Sequence, residues 1–256
     1  MIHPTAVVSE TAQLHDSVEV GPYAVIGPHV TLERGVRIGA HAVIEGWTTL
    51  GEDVRVWPHA ILGGEPQDWS FDPSWKSFLT IGARTIIREL VTVHRGSKEG
   101  ATTAIGADCM LMNSAHVAHD CNIGDRVTIA GSALVAGHVT IEPGAFLSGN
   151  AVVHQFSHIG RLVMVGGNRR VPRDVPPFVL VNRDDAINGV NMVGLRRNGV
   201  EAPARKEIVR MVSALRDNDK PATELAETFD PKTPEGIEFV TALRNPRDRG
   251  WMPFSR

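Results

Sequence analysis

Residues 105–165, set out in sixes, read IGADCM LMNSAH VAHDCN IGDRVT IAGSAL VAGHVT IEPGAF LSGNAV VHQFSH IGRLVM V. Every group opens on Ile, Leu or Val. A period of six fits neither the 3.6 of a helix nor the 2 of a long strand. It fits a coil of three short strands with a turn at each corner. The aliphatic residue points into a narrow triangular core, and a small or β-branched residue four places later (Ala133, Val139) fills what remains. Gly often follows the aliphatic residue, as at Gly106, Gly124 and Gly160, and is expected to relieve the turn. Three groups make one coil, so residues eighteen apart stack, about 4.8 Å from coil to coil.

The phase extends both ways. Toward the N-terminus it runs Ile2, Val8, Leu14, Val20, Ile26, Leu32, Ile38, Ile44, Leu50, Val56 and Leu62, then resumes at Ile81, Ile87 and Val93. The break at 63–80, GGEPQDWSFDPSWKSFLT, is rich in Pro, Asp, Ser and Trp and reads as an excursion loop. A loop interrupting a regular solenoid is more often functional than decorative. A second, shorter excursion lies around Lys98 to Thr103. Past Val171 the period dissolves. From about Asn188 it turns helical, with Ile208, Val209, Met211, Val212 and Leu215 at helical spacing and Pro203, Pro221 and Pro234 as punctuation. The expected organisation is a coil over 1–187 and an α-helical unit over 188–256, capping the open end as repeat folds require.

The bulk composition agrees. Only 5% of the 256 residues are aromatic, which suits a thin core of Val, Ile, Leu and Ala. The net charge of −3 gives no reason to expect nucleic acid, although the basic residues gather after residue 160. Cys109 and Cys121 both fall on the small inward position, so buried filler is their expected role rather than catalysis or a disulfide. The start, MIHPTAVVSETAQLHDSV, lacks the pattern of a signal peptide, and no stretch has the apolar length of a membrane span. A cytoplasmic enzyme is the expectation.

Counted in eighteens, the period also gathers histidines. From His119 one step lands on Gly137, beside His138, and the next on Gln155, beside His154; His116 lies three residues before His119. All should share one edge of three successive coils. Two chemistries fit such a set. Neutral imidazoles bind zinc, usually in threes. A single imidazole acts as general base near neutral pH.

The pattern resembles the hexapeptide-repeat transferases, which implies an all-β left-handed parallel β-helix of hexapeptide repeats with a C-terminal α-helical cap, assembled as a homotrimer. More closely, the stretches NSAHVAHDCNIG, LVAGHVTI, NAVVHQF, VMVGG…DVPPF and GVNMVGLRR, with the PQD loop and helical tail, resemble the UDP-N-acetylglucosamine 3-O-acyltransferase family over essentially the whole chain. That resemblance implies transfer of a 3-hydroxyacyl chain from acyl carrier protein to the 3-hydroxyl of the UDP-amino sugar, the first step of lipid A synthesis, with no cofactor and no metal. It implies His119 as general base, Asp120 as the residue orienting it, and the Gly137 N–H as oxyanion donor. His116, His138, His154 and Gln155 match substrate contacts. So do Gln67 and Asp68 in the loop, reaching across a subunit boundary, and Asn191 and Arg197 in the tail. Met164 and Gly167 match the acyl-chain groove.

The chain departs from the family's pattern at several places. Ser70 stands in the run after Gln67-Asp68 where Lys is common, with Lys76 the nearest replacement; Val193 stands for Glu and Asn198 for a second Arg; Arg169 and Arg170 replace small residues beside the groove. These leave open another amino-sugar nucleotide or another acyl donor. Other readings of the scaffold make distinct demands. A coenzyme A-dependent acetyltransferase would ignore acyl carrier protein, and a zinc hydratase would hold stoichiometric zinc. A non-catalytic scaffold would leave the His119–Asp120 pair without purpose.

Overall fold

The computed structural model describes residues 1–247 and 249–255. Its coil is a left-handed parallel β-helix. Three sheets run its length, each built from every third strand. The first face runs from Val7–Val8 to Arg170–Val171, the second from Gln13–Leu14 to His158–Ile159, and the third from Glu19–Val20 to Met164–Val165. Most strands are two residues long because the chain turns a corner every six. The inner member of each is the aliphatic residue of the repeat: Leu111, Val117, Ile123, Ile129, Val135 and Leu147 are all essentially inaccessible. The ladder registers Val117 on Val135 and Val135 on Val153, the eighteen-residue step.

Both excursions leave this ladder intact. Val93 stacks on Leu62, thirteen residues beyond the normal step, and Ile105 on Ile81, six beyond. The first irregular segment is shorter than the break in phase suggests, because Ile61–Gly64 and Phe78–Ile81 are strands and the loop proper covers 65–77. The second covers 95–101, since Thr103 belongs to the strand Thr102–Ile105.

The glycines after the aliphatic residues do not relieve the turns. The left-handed backbone at each corner is held instead by residues such as Asp120, His138 and Phe156, with φ of 58°, 59° and 66°. Gly106 and Gly124 are required by the spacing of coils. A Cβ at Gly106 would lie 2.7 Å from the backbone N of Asp125, and one at Gly124 2.8 Å from Cδ of Pro143.

Cys109 and Cys121 are free, buried fillers, as their position predicts. Burial pushes their thiols up, to about 11 and about 12, so neither is a thiolate at neutral pH.

The coil ends in Val179–Val181 and an antiparallel strand, Ile187–Val190. Four helices follow: α1 (Met192–Arg197), α2 (Ala202–Arg216), α3 (Ala222–Ala226) and α4 (Pro234–Arg244). α2 buries Ile208, Met211, Val212 and Leu215, while Val209 of the same apolar run stays exposed. Arg161 on the coil pairs with Glu238 on α4 at 2.7 Å. None of the described helices is long and apolar enough to cross a membrane.

Because Leu147 is fully buried in a core one side chain wide, Leu147→Ala is expected to cost about 3 kcal/mol. A urea titration followed by circular dichroism measures it.

Candidate active site

His119 and Asp120 sit on the corner between the first and second faces, where a strand of two residues, His116–Val117, gives way to the next, Asn122–Ile123. The left-handed backbone of Asp120 turns its carboxylate back onto the preceding side chain. His119 Nδ1 and Asp120 Oδ2 are 2.7 Å apart. Asp120 also accepts from the backbone N–H of Ser97, at 3.1 and 3.3 Å to its two oxygens, and its own N–H donates to Thr103 Oγ1 at 2.8 Å. Burial pushes the Asp120 carboxyl up, but the bonds from His119 and Ser97 outweigh it and hold it near 2. It is therefore a carboxylate at neutral pH. An acceptor fixed on Nδ1 leaves Nε2 of a neutral His119 with a free lone pair.

The eighteen-residue step then places the neighbours. Gly137 lies against the His119 ring: a Cβ there would be 2.7 Å from Cε1 and 2.9 Å from Nε2, so any other residue would push the imidazole from this position. Among the described residues, the Gly137 N–H has no hydrogen-bond acceptor. His138 meets His119 edge-on at 5.1 Å between ring centroids, and its Nε2 is 3.6 Å from Asp120. Desolvation holds His138 below its ordinary value. His154 and Gln155 occupy the same corner one coil on, with His154 exposed and its Nδ1 3.1 Å from the Gln155 carbonyl.

His116 faces the other way along the strand. It bonds Thr92 through Nδ1 at 2.8 Å and packs on His94. Desolvation, with the charges of His94 and His119, pushes it down to about 4. The loop's Gln67 and Asp68 are exposed. Asp68 is held low, first by the Ser70 N–H and then by the Ser70 hydroxyl, with a further pull from His119 and His138 of the same chain. Lys76 stands at the loop's base, over the Phe78 ring, rather than at its tip.

The remaining candidates lie on other edges. Asn191 is buried and its carboxamide is engaged, capping α1 through the Gly194 N–H at 2.9 Å and donating to the Leu162 carbonyl at 2.8 Å. Arg197 is exposed at the end of α1. Met164 lies on the third face, and Gly167 is exposed on the corner between the third and first faces, in a column with Gly131 and Gly149.

Three neighbours of this cluster, Phe156, Ser97 and Thr103, escaped the sequence reading. Phe156 stacks on His138 at 4.7 Å, and the eighteen-residue step from His138 would have found it. Ser97 carries no such signal, because it comes from an excursion.

His119, Asp120 and His138 offer ligand atoms within 4.8 Å of one another, so a metal ion is sterically conceivable there. The 2.7 Å contact between Nδ1 and Oδ2 is a hydrogen-bond distance, so Nδ1 is engaged by the carboxylate and Nε2 is the free ring nitrogen. Cavities of about 690 and 760 Å³ lie in the N-terminal half and are lined by other residues.

Comparison with known proteins fits this geometry. A family model described as UDP N-acetylglucosamine O-acyltransferase, domain 2, matches residues 174–252, and a bacterial transferase hexapeptide model matches 11–46, 29–64 and 102–137. An acyl-[acyl-carrier-protein]–UDP-N-acetylglucosamine O-acyltransferase of Stenotrophomonas maltophilia is 39% identical over 100% of this chain and 97% of its own length. The chain belongs to that family. A Synechocystis member is 44% identical, over 64% of this chain and 60% of that protein's length. The solved structure of the Acinetobacter baumannii member superposes with a TM-score of 0.92 at 30% identity, covering 98% of this chain and 99% of the other.

Between pH 6.5 and about 4 the unfolded chain protonates His116 and the folded chain does not, so stability falls as pH falls through that window. Thermal melts should show it. His116→Gln should flatten that slope.

Proposed function

We propose that the chain is an acyltransferase moving a 3-hydroxyacyl chain from acyl carrier protein to the 3-hydroxyl of UDP-N-acetylglucosamine, the first step of lipid A biosynthesis. The observation that carries it is the His119–Asp120 pair with Gly137 directly beneath the imidazole. The full-length likeness to relatives of that name supports it.

The chemistry follows from the pair. A sugar hydroxyl is a poor nucleophile until its proton leaves. His119 Nε2 takes that proton as the hydroxyl oxygen bonds to the thioester carbonyl carbon. Asp120 fixes the proton on Nδ1 and stabilises the imidazolium that forms. The carbonyl π electrons move onto oxygen, and the uncommitted Gly137 N–H is the donor placed to meet that charge. Collapse re-forms the carbonyl and breaks the C–S bond, and the leaving thiolate takes the proton back from His119. Proton transfer and hydrogen bonds suffice, so the proposed mechanism uses no cofactor and no metal. His138, His154, Gln155, Gln67 and Asp68 surround the same corner as substrate contacts, and His116 supports it from the adjoining face.

The working enzyme in this reading is a homotrimer. In one chain His119 lies on one edge of the triangle, α1 with Asn191 and Arg197 on a second, and Gly167 on the third. A single substrate can meet all three only where copies abut. The outward residues of the first face favour such packing: Val7, Ile61, Leu134 and Val152 are exposed and apolar, whereas the second face presents Gln13, Thr31, Asn122 and Thr140. In this arrangement Arg197 meets the diphosphate, and Met164 and Gly167 line the acyl chain. Buried reduced thiols and the two substrates accord with a cytoplasmic location.

His119→Ala should abolish transfer, assayed by mass spectrometry with acyl carrier proteins and UDP-sugars, while native mass spectrometry still shows the trimer. Near-normal turnover in that folded variant would remove the general-base assignment. Leu134→Glu should shift the native mass from three chains to one.

A further inference from the structure

The second excursion adds six residues to the normal step, one whole repeat, so it leaves the phase of the coil unchanged. Its folded-out segment, 95–101, ends against Asp120. Ser97 is buried, and its backbone N–H reaches both carboxylate oxygens. The strand that returns from the excursion carries Thr103. Its side chain occupies the inward filler position that is Val, Ala or Cys in most coils, as at Cys109, Ala115, Cys121 and Val127. The hydroxyl there is fully inaccessible, and a buried hydroxyl is costly unless it is hydrogen-bonded. Its partner is the Asp120 N–H at 2.8 Å.

Asp120 is thus gripped at two points. Thr103 holds the N–H of its backbone, which is left-handed here (φ 58°) as at the other corners, a conformation a non-glycine residue adopts at a cost of about 1–2 kcal/mol. Ser97 fixes its carboxylate. We infer that the second excursion is a positioning clamp for the general base, with Ser97 and Thr103 as positioning residues that aim Asp120 at His119 Nδ1. Neither touches the substrate. The inference rests on the proposed role of His119.

The clamp also bears on charge. The titratable groups facing Asp120 are His119 and His138, with Cys121 behind; Lys98 and Asp68 lie further out and act on His138. Beside the His119 ring, the Ser97 N–H is the donor that holds the carboxylate. Weakening the clamp lets burial push the carboxyl up, so protonation of Asp120 interferes at a higher pH.

The test is Thr103→Val, which keeps shape and removes the acceptor, with Thr103→Ser as rescue and Ser97→Pro to delete the N–H. Thr103→Val is expected to lower kcat about tenfold with KM for the UDP-sugar unchanged, as a small misplacement of a base costs. The acid edge of its kcat/KM profile should move to higher pH, and Thr103→Ser should recover to within about twofold. A role in folding alone would lower the melting temperature and leave the kcat and acid edge of the folded fraction unchanged. Wild-type kcat and acid edge in Thr103→Val, or a loss that Thr103→Ser does not recover, overturns the clamp. If Ser97→Pro fails to fold, the Thr103 pair decides alone. The outcomes separate from those at His119: inactive His119→Ala with unaffected Thr103→Val sinks only the clamp, and active His119→Ala sinks the base itself.

Discussion

The structure depends on one constraint: each coil must sit on the last in register, with an aliphatic side chain pointing into a core only one residue wide. The parallel ladder supplies the spacing, and the inward column supplies the burial. Because the interior is so narrow, the chain has few choices at the inner positions. Valine, isoleucine and leucine fill the faces, and alanine, valine or cysteine fill beside the corners. Glycine appears where the next coil's backbone comes too close for a Cβ, as at Gly106 and Gly124.

The same constraint explains why departures stay outside. An insertion that shifted the register would turn every following side chain around. Both excursions instead leave and return at the same place on the ladder, so Val93 still lands on Leu62 and Ile105 on Ile81. Loop closure costs little more for thirteen residues than for six, since it grows only with the logarithm of length. The buried Arg95 ties the longer loop down, donating to the Gly63 carbonyl at 3.0 Å and lying over the Phe71 ring.

The corner is where a repetitive scaffold becomes chemical. A left-handed residue at each turn throws its side chain back toward its neighbour, and that is how Asp120 reaches His119. The ladder then delivers Gly137 and His138 from the next coil. Low polarity around His116 and His138 keeps them neutral, while the bonds to Asp120 keep that one group charged. A carboxylate fixed on Nδ1 is the electrostatic setting a general base at Nε2 needs.

The sequence by itself determined the coil, because a six-residue period leaves a side chain only one place to go. Through its eighteen-residue multiple it also determined that His119, Gly137 and His138 converge. It marked Cys109 and Cys121 as filler for the same reason. Only the tertiary structure decided what the period does not carry. It placed Ser97 on Asp120, since an excursion breaks the count that would have located it, and it gave the Thr103 hydroxyl to the Asp120 N–H, since the period marks that position only as inward filler. It showed that the glycines serve close approach rather than turning, because coil spacing is not written in one repeat. It set Asn191 to capping α1 and put Arg197 and Gly167 on edges away from His119, because the helical tail docks by packing rather than by register.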